Sequence, residues 1–294
     1  MGWPATERSV QAALAFGLAC AVSACGGGGG GGGVVPNLLP ARTPLPLVRT
    51  DTLPVGTRID VAADDFFVFV AGDRATYRAT TFLGVSIEVQ REVVAGPDAQ
   101  GTVTIVENVP AQPGIDSSTE RWQRRADGLW ALAFLGQGGP AGFSAVVGDT
   151  LLYPTPFYPV GSLRTLVRQG DLGADLDGDQ IPESFRLELR QTFVGFETGT
   201  RGGRAERRAR FQNHVTLTVQ PSRADVPILT SVLTEESLFA AHTGLIQSHR
   251  TAVVDGNNIA DYNGLEGLFG GTLAGRDVSI AWNAGTARYL AMKA

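Results

Sequence analysis

The sequence predicts an all-β fold, built from antiparallel sheets arranged as a curved half-barrel or a sandwich. Three observations carry that prediction. Apolar residues recur with period two instead of 3.6, turn-forming residues separate the runs, and no window shows a long amphipathic helix. The 294 residues are 43% hydrophobic and 18% charged. That suffices for a packed core and lies outside the composition of disordered chains. With 24 basic and 29 acidic side chains the net charge is −5, so no global positive field draws in nucleic acid, and none is expected as a partner.

The chain opens on a short apolar stretch, Val10 to Ala24, reading VQAALAFGLACAVSA. It is shorter than the roughly 20 residues a helix needs to cross a bilayer, and it suits the apolar region of a secretory signal. It ends in Val22-Ser23-Ala24-Cys25, which resembles the lipobox of bacterial lipoproteins. The resemblance implies a signal peptide over 1–24, cleavage before Cys25, and acylation of that cysteine's thiol and new amine, palmitate among the chains. Glu7 offsets Arg8, a departure from the positive start of such signals. The competing reading is a buried N-terminal helix followed by a linker.

Gly26 to Gly33 is an unbroken glycine run. Such a run is a random coil, spanning about 5–6 Å × √n. Pro36, Pro40, Pro44 and Pro46 stiffen the stretch after it, so 25–49 reads as a tether and the body is expected from Thr50. By resemblance to lipoprotein sorting in double-membraned bacteria, Gly26 in place of aspartate implies the outer membrane, with the protein facing the periplasm or the cell surface. With Cys20 removed and Cys25 acylated, the mature chain has no thiol for a disulfide, a nucleophile or a metal.

Within the body, Phe66 to Val70 is a continuous apolar run that suits a central strand. Val85, Ile87 and Val89 alternate with polar residues, as do Val103 and Ile105, then Phe185, Leu187 and Leu189, then Val215, Leu217 and Val219, and finally Val278, Ile280 and Trp282. Glu235 to Ala241 reads as a short helix or as strand. Turns are expected at 71–73, 95–98, 126–128, 255–257 and 283–285, where Gly, Pro, Asn and Asp cluster. A weak internal echo pairs Leu53-Pro54-Val55-Gly56 with Tyr158-Pro159-Val160-Gly161, and Val103-Thr104-Ile105 with Val215-Thr216-Leu217. It is compatible with two related β units, 50–150 and 151–252, followed by a C-terminal hairpin region over 253–294, or with shared β vocabulary. The pattern resembles uncharacterised β-rich periplasmic lipoproteins of proteobacteria, which implies half-open barrel architecture and no catalytic residue.

One segment carries explicit chemistry. Asp175, Asp177, Asp179 and Glu183 occupy positions 1, 3, 5 and 9 of a loop, with the Ile181 carbonyl at position 7. Alternate oxygens so spaced converge on a hard cation, and Ca²⁺ suits them better than Mg²⁺ because its coordination is less strict. The loop resembles those of thrombospondin type 3 repeats. Gln180 departs from the glycine usual at position 6, and Arg186 at position 12 excludes an EF-hand. The expected role is structural, fixing the strand that starts at Phe185. The alternative is an acidic turn.

Other signals are weaker. Five arginines lie between Arg201 and Arg210 with one glutamate among them. They read as a solvated hairpin, or as a contact for an anionic envelope glycolipid. His214, His242 and His249 read as surface residues, and Gly142-Phe143-Ser144-Ala145-Val146 lacks the last glycine of a nucleophile elbow. Gly136 to Gly142 is no dinucleotide loop, because Pro140 interrupts it and no helix pattern follows. Aromatic residues from Phe66 to Tyr158, with Trp122, Phe134 and Tyr153 among them, fit core packing or an apolar groove. The expected function is therefore a non-catalytic binding or structural module of the envelope, with a lipid, a glycolipid or a protein as partner. The alternatives are an envelope hydrolase and a carrier of lipid or outer-membrane protein. A pocket joining histidine, carboxylate and hydroxyl would mark the hydrolase, and an apolar groove the carrier.

Overall fold

Period-two alternation does what it predicts: it builds strands with one buried and one wet face. The computed structural model describes residues 41–278, apart from 82, 113, 114, 116, 135–139, 202, 259 and 261. The signal segment, Cys25, the glycine run, Ile280, Trp282 and the turn at 283–285 lie outside the described residues.

The strands run β1 (Val48–Thr52), β2 (Arg74–Thr80), β3 (Ser86–Ala95), β4 (Thr102–Asn108), β5 (Ser118–Arg125), β6 (Gly128–Ala131), β7 (Thr150–Pro154), β8 (Leu163–Asp171), β9 (Ser184–Arg201), β10 (Arg204–Gln220), β11 (Leu229–Ala240), β12 (Gly244–Val254), β13 (Asn257–Asn258), β14 (Gly267–Leu273) and β15 (Arg276–Asp277). Among the described residues one helix, α1 (Ala141–Val147), lies between β6 and β7. Two antiparallel sheets result. The first has the order β1-β8-β9-β10-β11-β12-β13, the second β15-β14-β2-β3-β4-β5-β6-β7. Neither closes into a barrel, and the fold is sandwich-like. Phe185, Leu187 and Leu189 of β9 and Val215, Leu217 and Val219 of β10 face a core shared with Leu129, Leu152 and Tyr153 of the second sheet. The boundary expected at 150/151 falls within β7. β1 joins the first sheet beside β8, and β14 returns to the second beside β2.

Four local readings change. The apolar run Phe66 to Val70 is coil, with no ladder partner among the described residues. Its residues fill the gap between sheets: Phe66 and Phe67 are buried, with Phe66 5.5 Å from the Phe157 ring and Phe67 5.1 Å from Phe239. An all-apolar run needs burial, and a gap filled by rings supplies it as well as a central strand does. Glu235 to Ala240 is strand, the end of β11, and Ala241 opens the turn that follows.

A helix does follow Pro140. Seven residues are too few to show periodicity, but Phe143 and Val147, one turn apart, bury the face that packs on β9, where Phe143 sits 4.7 Å from Phe185. A Cβ on Gly142 would lie 2.6 Å from the backbone of Gly173, so only glycine permits that approach. Finally, the ordered body begins before Thr50. Ala41 bridges Arg223, and the Arg42 guanidinium donates to the carbonyls of Pro221, Arg223 and Ala224. Leu45 N–H bonds Ser184 Oγ at 2.9 Å, and Gln169 holds Pro46 O at 3.0 Å.

Candidate functional site

The inner faces of the sheets are not wholly apolar. Continuing the inward alternation of β9 past Leu189 by two residues reaches Gln191, and stepping back two from Val215 on β10 reaches Asn213. Strand register sets Gln191 opposite Asn213, Asn213 opposite Glu235 of β11, and Glu235 opposite Arg250 of β12. A polar row therefore crosses four strands inside the sandwich. The facing sheet adds Arg91 of β3, two residues past Val89, and Glu107 of β4, two past Ile105, which are register partners. Glu120 lies on β5, opposite Ile105.

These charges pair closely. Arg250 meets Glu107 at 2.7 Å, with only 7% and 3% of the two residues exposed. Arg91 meets Glu107 at 3.3 Å and Glu120 at 2.6 Å. Tyr262 donates a short hydrogen bond to Glu107 and lies against the Arg250 guanidinium, 4.8 Å from ring centre to cation. Trp122 Nε1 donates to Glu120 at 3.0 Å. Burial works against ionisation of Glu107, yet Arg250, Arg91 and the Tyr262 hydroxyl hold its carboxyl below its ordinary value. Glu235 is placed differently: its hydrogen bond is a 3.4 Å contact from Asn213 Nδ2, and burial pushes its carboxyl up.

Beside this cluster lies a cavity of about 120 Å³ between the sheets. Arg91, Glu107, Glu120, Arg121, Asn213, Glu235, Ser237, Ser248 and Arg250 supply its polar lining; Phe67, Trp122, Leu233 and Phe239 are among its apolar walls. Tyr153 Oη and Ser237 Oγ are 3.4 Å apart, and burial raises the tyrosine's ionisation well above its ordinary value. The aromatic residues singled out in the sequence thus do both things expected of them. Phe67 packs ring to ring with Tyr153 and Phe66 with Phe157, and Phe66, Phe67 and Tyr153 together with Phe69, Trp122 and Phe134 line the cavity. Trp130 stands apart, bonded to Asp127 at 2.8 Å beneath Arg125. His214, His242 and His249 are exposed, and none lines the cavity. The buried polar residues escaped the sequence reading, although their position on the inward parity of apolar runs was visible.

The acidic loop lies elsewhere, between β8 and β9. Carboxylate oxygens of Asp175, Asp177 and Glu183 converge within 4.8 Å of one another. Asp175 accepts from Gly178 and Gln180 N–H at 2.7 and 2.8 Å. Gln180 takes φ 71°, so the sharp turn survives without glycine. Glu183, fully buried, accepts the N–H groups of Leu176, Asp177 and Ser222, and burial raises its carboxyl. Asp179 turns toward the Ser222 hydroxyl, which holds it below its ordinary value, and it also accepts Ile181 N–H at 2.8 Å. Ile181 itself is exposed. Three of the four expected side chains are thus together and the fourth is next to them. Their donor set, all hard oxygen, fits Ca²⁺.

The arginines of 201–210 are mostly paired. Arg201 and Arg208 share Glu206, Arg210 pairs with Glu197 and Glu236, and Arg207 pairs with Asp64 over the Phe196 ring.

Two solved structures share features of this fold. One is described as a "putative lipoprotein" from Parabacteroides distasonis, 11% identical, covering 69% of this chain and 97% of that one with a TM-score of 0.37. The other is a "putative exported protein with YmcC-like fold" from Bacteroides fragilis, 12% identical, covering 69% of this chain and 96% of that one with a TM-score of 0.33. No protein-family model and no curated protein matches the chain.

Proposed function

We propose that the chain is a lipoprotein of the bacterial outer membrane, held by acylated Cys25 and facing the periplasm or the cell surface, whose body is a non-catalytic binding or structural module. The observation that carries this reading is Val22-Ser23-Ala24-Cys25 followed by eight glycines: an acylation motif, then a glycine run of spacer composition ahead of a body in which Ala41 already pairs with Arg223. The non-catalytic reading draws support from the interior cluster, where the arginines neutralise Glu107 and Glu120. Cys25→Ser is expected to leave an unacylated precursor with its signal attached, read by mass spectrometry of membrane fractions. Normal processing of that variant would refute the anchor.

The acidic loop is assigned to a structural Ca²⁺. Asp175, Asp177 and Glu183 would hold it, with Asp179 and the Ile181 carbonyl as the further ligands expected from spacing. A divalent cation there supplies the positive charge that lets three carboxylates stand together. The loop's own residues join β9 to the end of β10, since Glu183 and Asp177 accept the N–H groups of Ser222 and Arg223. Millimolar Ca²⁺ should raise the Tm of the detergent-solubilised mature protein but not that of Asp177→Ala. An unmoved Tm in the parent sinks the assignment.

A further inference from the structure

We propose that the cavity between the sheets is a binding site for a small organic cation, a primary amine on a compact branched or cyclic apolar body, with its ammonium on Glu235. The inference stands apart from the anchor and the Ca²⁺ loop and needs neither.

Charge matching is the first argument. Three carboxylates, Glu107, Glu120 and Glu235, face the interior against two arginines, Arg91 and Arg250. Every ion pair those arginines form within the cluster goes to Glu107 or Glu120. Glu235 is left with the 3.4 Å contact to Asn213. Glu235 is half-buried, and a carboxylate largely removed from water is stable when a cation or several hydrogen-bond donors meet it, and expensive otherwise. The space for such a cation lies directly beside it, because Glu235 lines the cavity.

The surroundings then define the head group. Ser237 is two residues from Glu235 on the same face of β11, and its register partner is Ser248 of β12. Both serines are buried and both line the cavity. An ammonium has three donors and no acceptor, so one carboxylate and two hydroxyl oxygens satisfy it completely. A carboxylate or phosphate ligand would instead meet Glu235 as a like charge.

Size and polarity of the remaining walls define the body. Trp122, Leu233 and Phe239 offer only apolar contact. The volume of about 120 Å³ lies below the roughly 150 Å³ of an apolar cavity that admits benzene, which limits the ligand to a handful of carbon atoms. The wall formed by Phe66 to Phe69 makes no backbone ladder bonds. Displacing it would disturb the ring packing of Phe66 and Phe67 but break no sheet hydrogen bonds, and it is the side from which a ligand is expected to enter.

The test uses three near-isosteric probes on the detergent-solubilised mature protein at neutral pH: isobutylamine, isobutanol and isobutyrate, titrated by NMR chemical shift. The expected order is amine at least about tenfold tighter than alcohol, with isobutyrate not bound at about 50 mM. In Glu235→Gln the advantage of amine over alcohol should disappear while alcohol binding persists. The proposal is overturned if none of the three binds the parent, if amine and alcohol bind it equally, or if the folded variant keeps the preference. Should Glu235→Gln not fold, the ranking of the three probes on the parent decides alone.

Discussion

Glu107 and Glu235 face the same interior, yet their surroundings drive their carboxyls in opposite directions, down for the first and up for the second. Burial opposes the charge of both. Glu107 overcomes it through Arg250, Arg91 and Tyr262, whereas Glu235 meets Arg250 and Arg91 at longer range, Glu120 as a like charge and Asn213 as its donor. A raised carboxyl adds stability that is fully present below its unfolded value near 4.5 and is lost as pH climbs through the folded value. Glu235→Gln cannot ionise and escapes that loss. Its Tm should equal the parent's at about pH 4 and exceed it by a few degrees at neutral pH, as measured by calorimetric scans across the range. A variant that is less stable than the parent at neutral pH would mean that Glu235 is ionised and well matched. None of this was evident from composition, because each residue of the cluster is an ordinary polar residue in its own strand. The signal was parity: Arg91, Glu107, Gln191 and Asn213 each sit two positions beyond an inward apolar pair, where a further apolar residue belongs.

Strands were legible to the extent that one face is wet. Alternation located β3, β4, β9 and β10 directly, because solvent on one side forces a polar residue at every second position. Elements wet on neither side were not legible. Phe66 to Val70 carries no alternation, and a strand and a gap-filling coil look alike when every residue of a run is apolar. α1 is too short for a 3.6 period and depends on the Gly142 to Gly173 approach, a tertiary fact. The leading segment was misplaced for a related reason, since Pro40, Pro44 and Pro46 signal stiffness without saying whether a stiff chain is docked. Here it is docked, through Arg42 onto three carbonyls at the end of β10. Charge-assisted hydrogen bonds of this kind are stronger than neutral ones. Arg42→Ala should therefore speed amide exchange at Thr43 and Leu45 by about tenfold or more while leaving β9 and β10 protected. Equal exchange in variant and parent would show that β1 pairing alone holds the segment.

At the scale of the whole molecule, if Cys25 is the anchor proposed above, the place where the body begins sets how it stands on a membrane. Fifteen residues separate Cys25 from Ala41, eight of them the glycine run, and a glycine-rich coil of that length would span about 21 Å on average. Ala41 docks beside Ser222, at the end of the first sheet that also holds the acidic loop. β9, 18 residues long, leads from that end to the arginine-rich turn at Arg201 and Arg204. At about 3.3 Å per residue the two ends lie on the order of 50 Å apart, well beyond the tether's mean reach. If Cys25 is the anchor, the acidic loop faces the bilayer and the arginine hairpin faces away from it. The pairing of those arginines agrees with this, because guanidinium groups committed to Glu197, Glu206, Glu236 and Asp64 have little charge left for lipid head groups. The prediction is specific, because loss of Cys20 with the signal and acylation of Cys25, as proposed, would leave no free thiol, so each engineered cysteine would be unique. A fluorophore on Ala224→Cys should be quenched strongly by head-group spin labels in vesicles carrying the acylated protein, and one on Arg204→Cys weakly. The reverse ranking would place the hairpin against the membrane and make its arginines lipid ligands after all. Equal, weak quenching at both sites would mean that the glycine tether holds the body clear of the surface, with neither end presented to it.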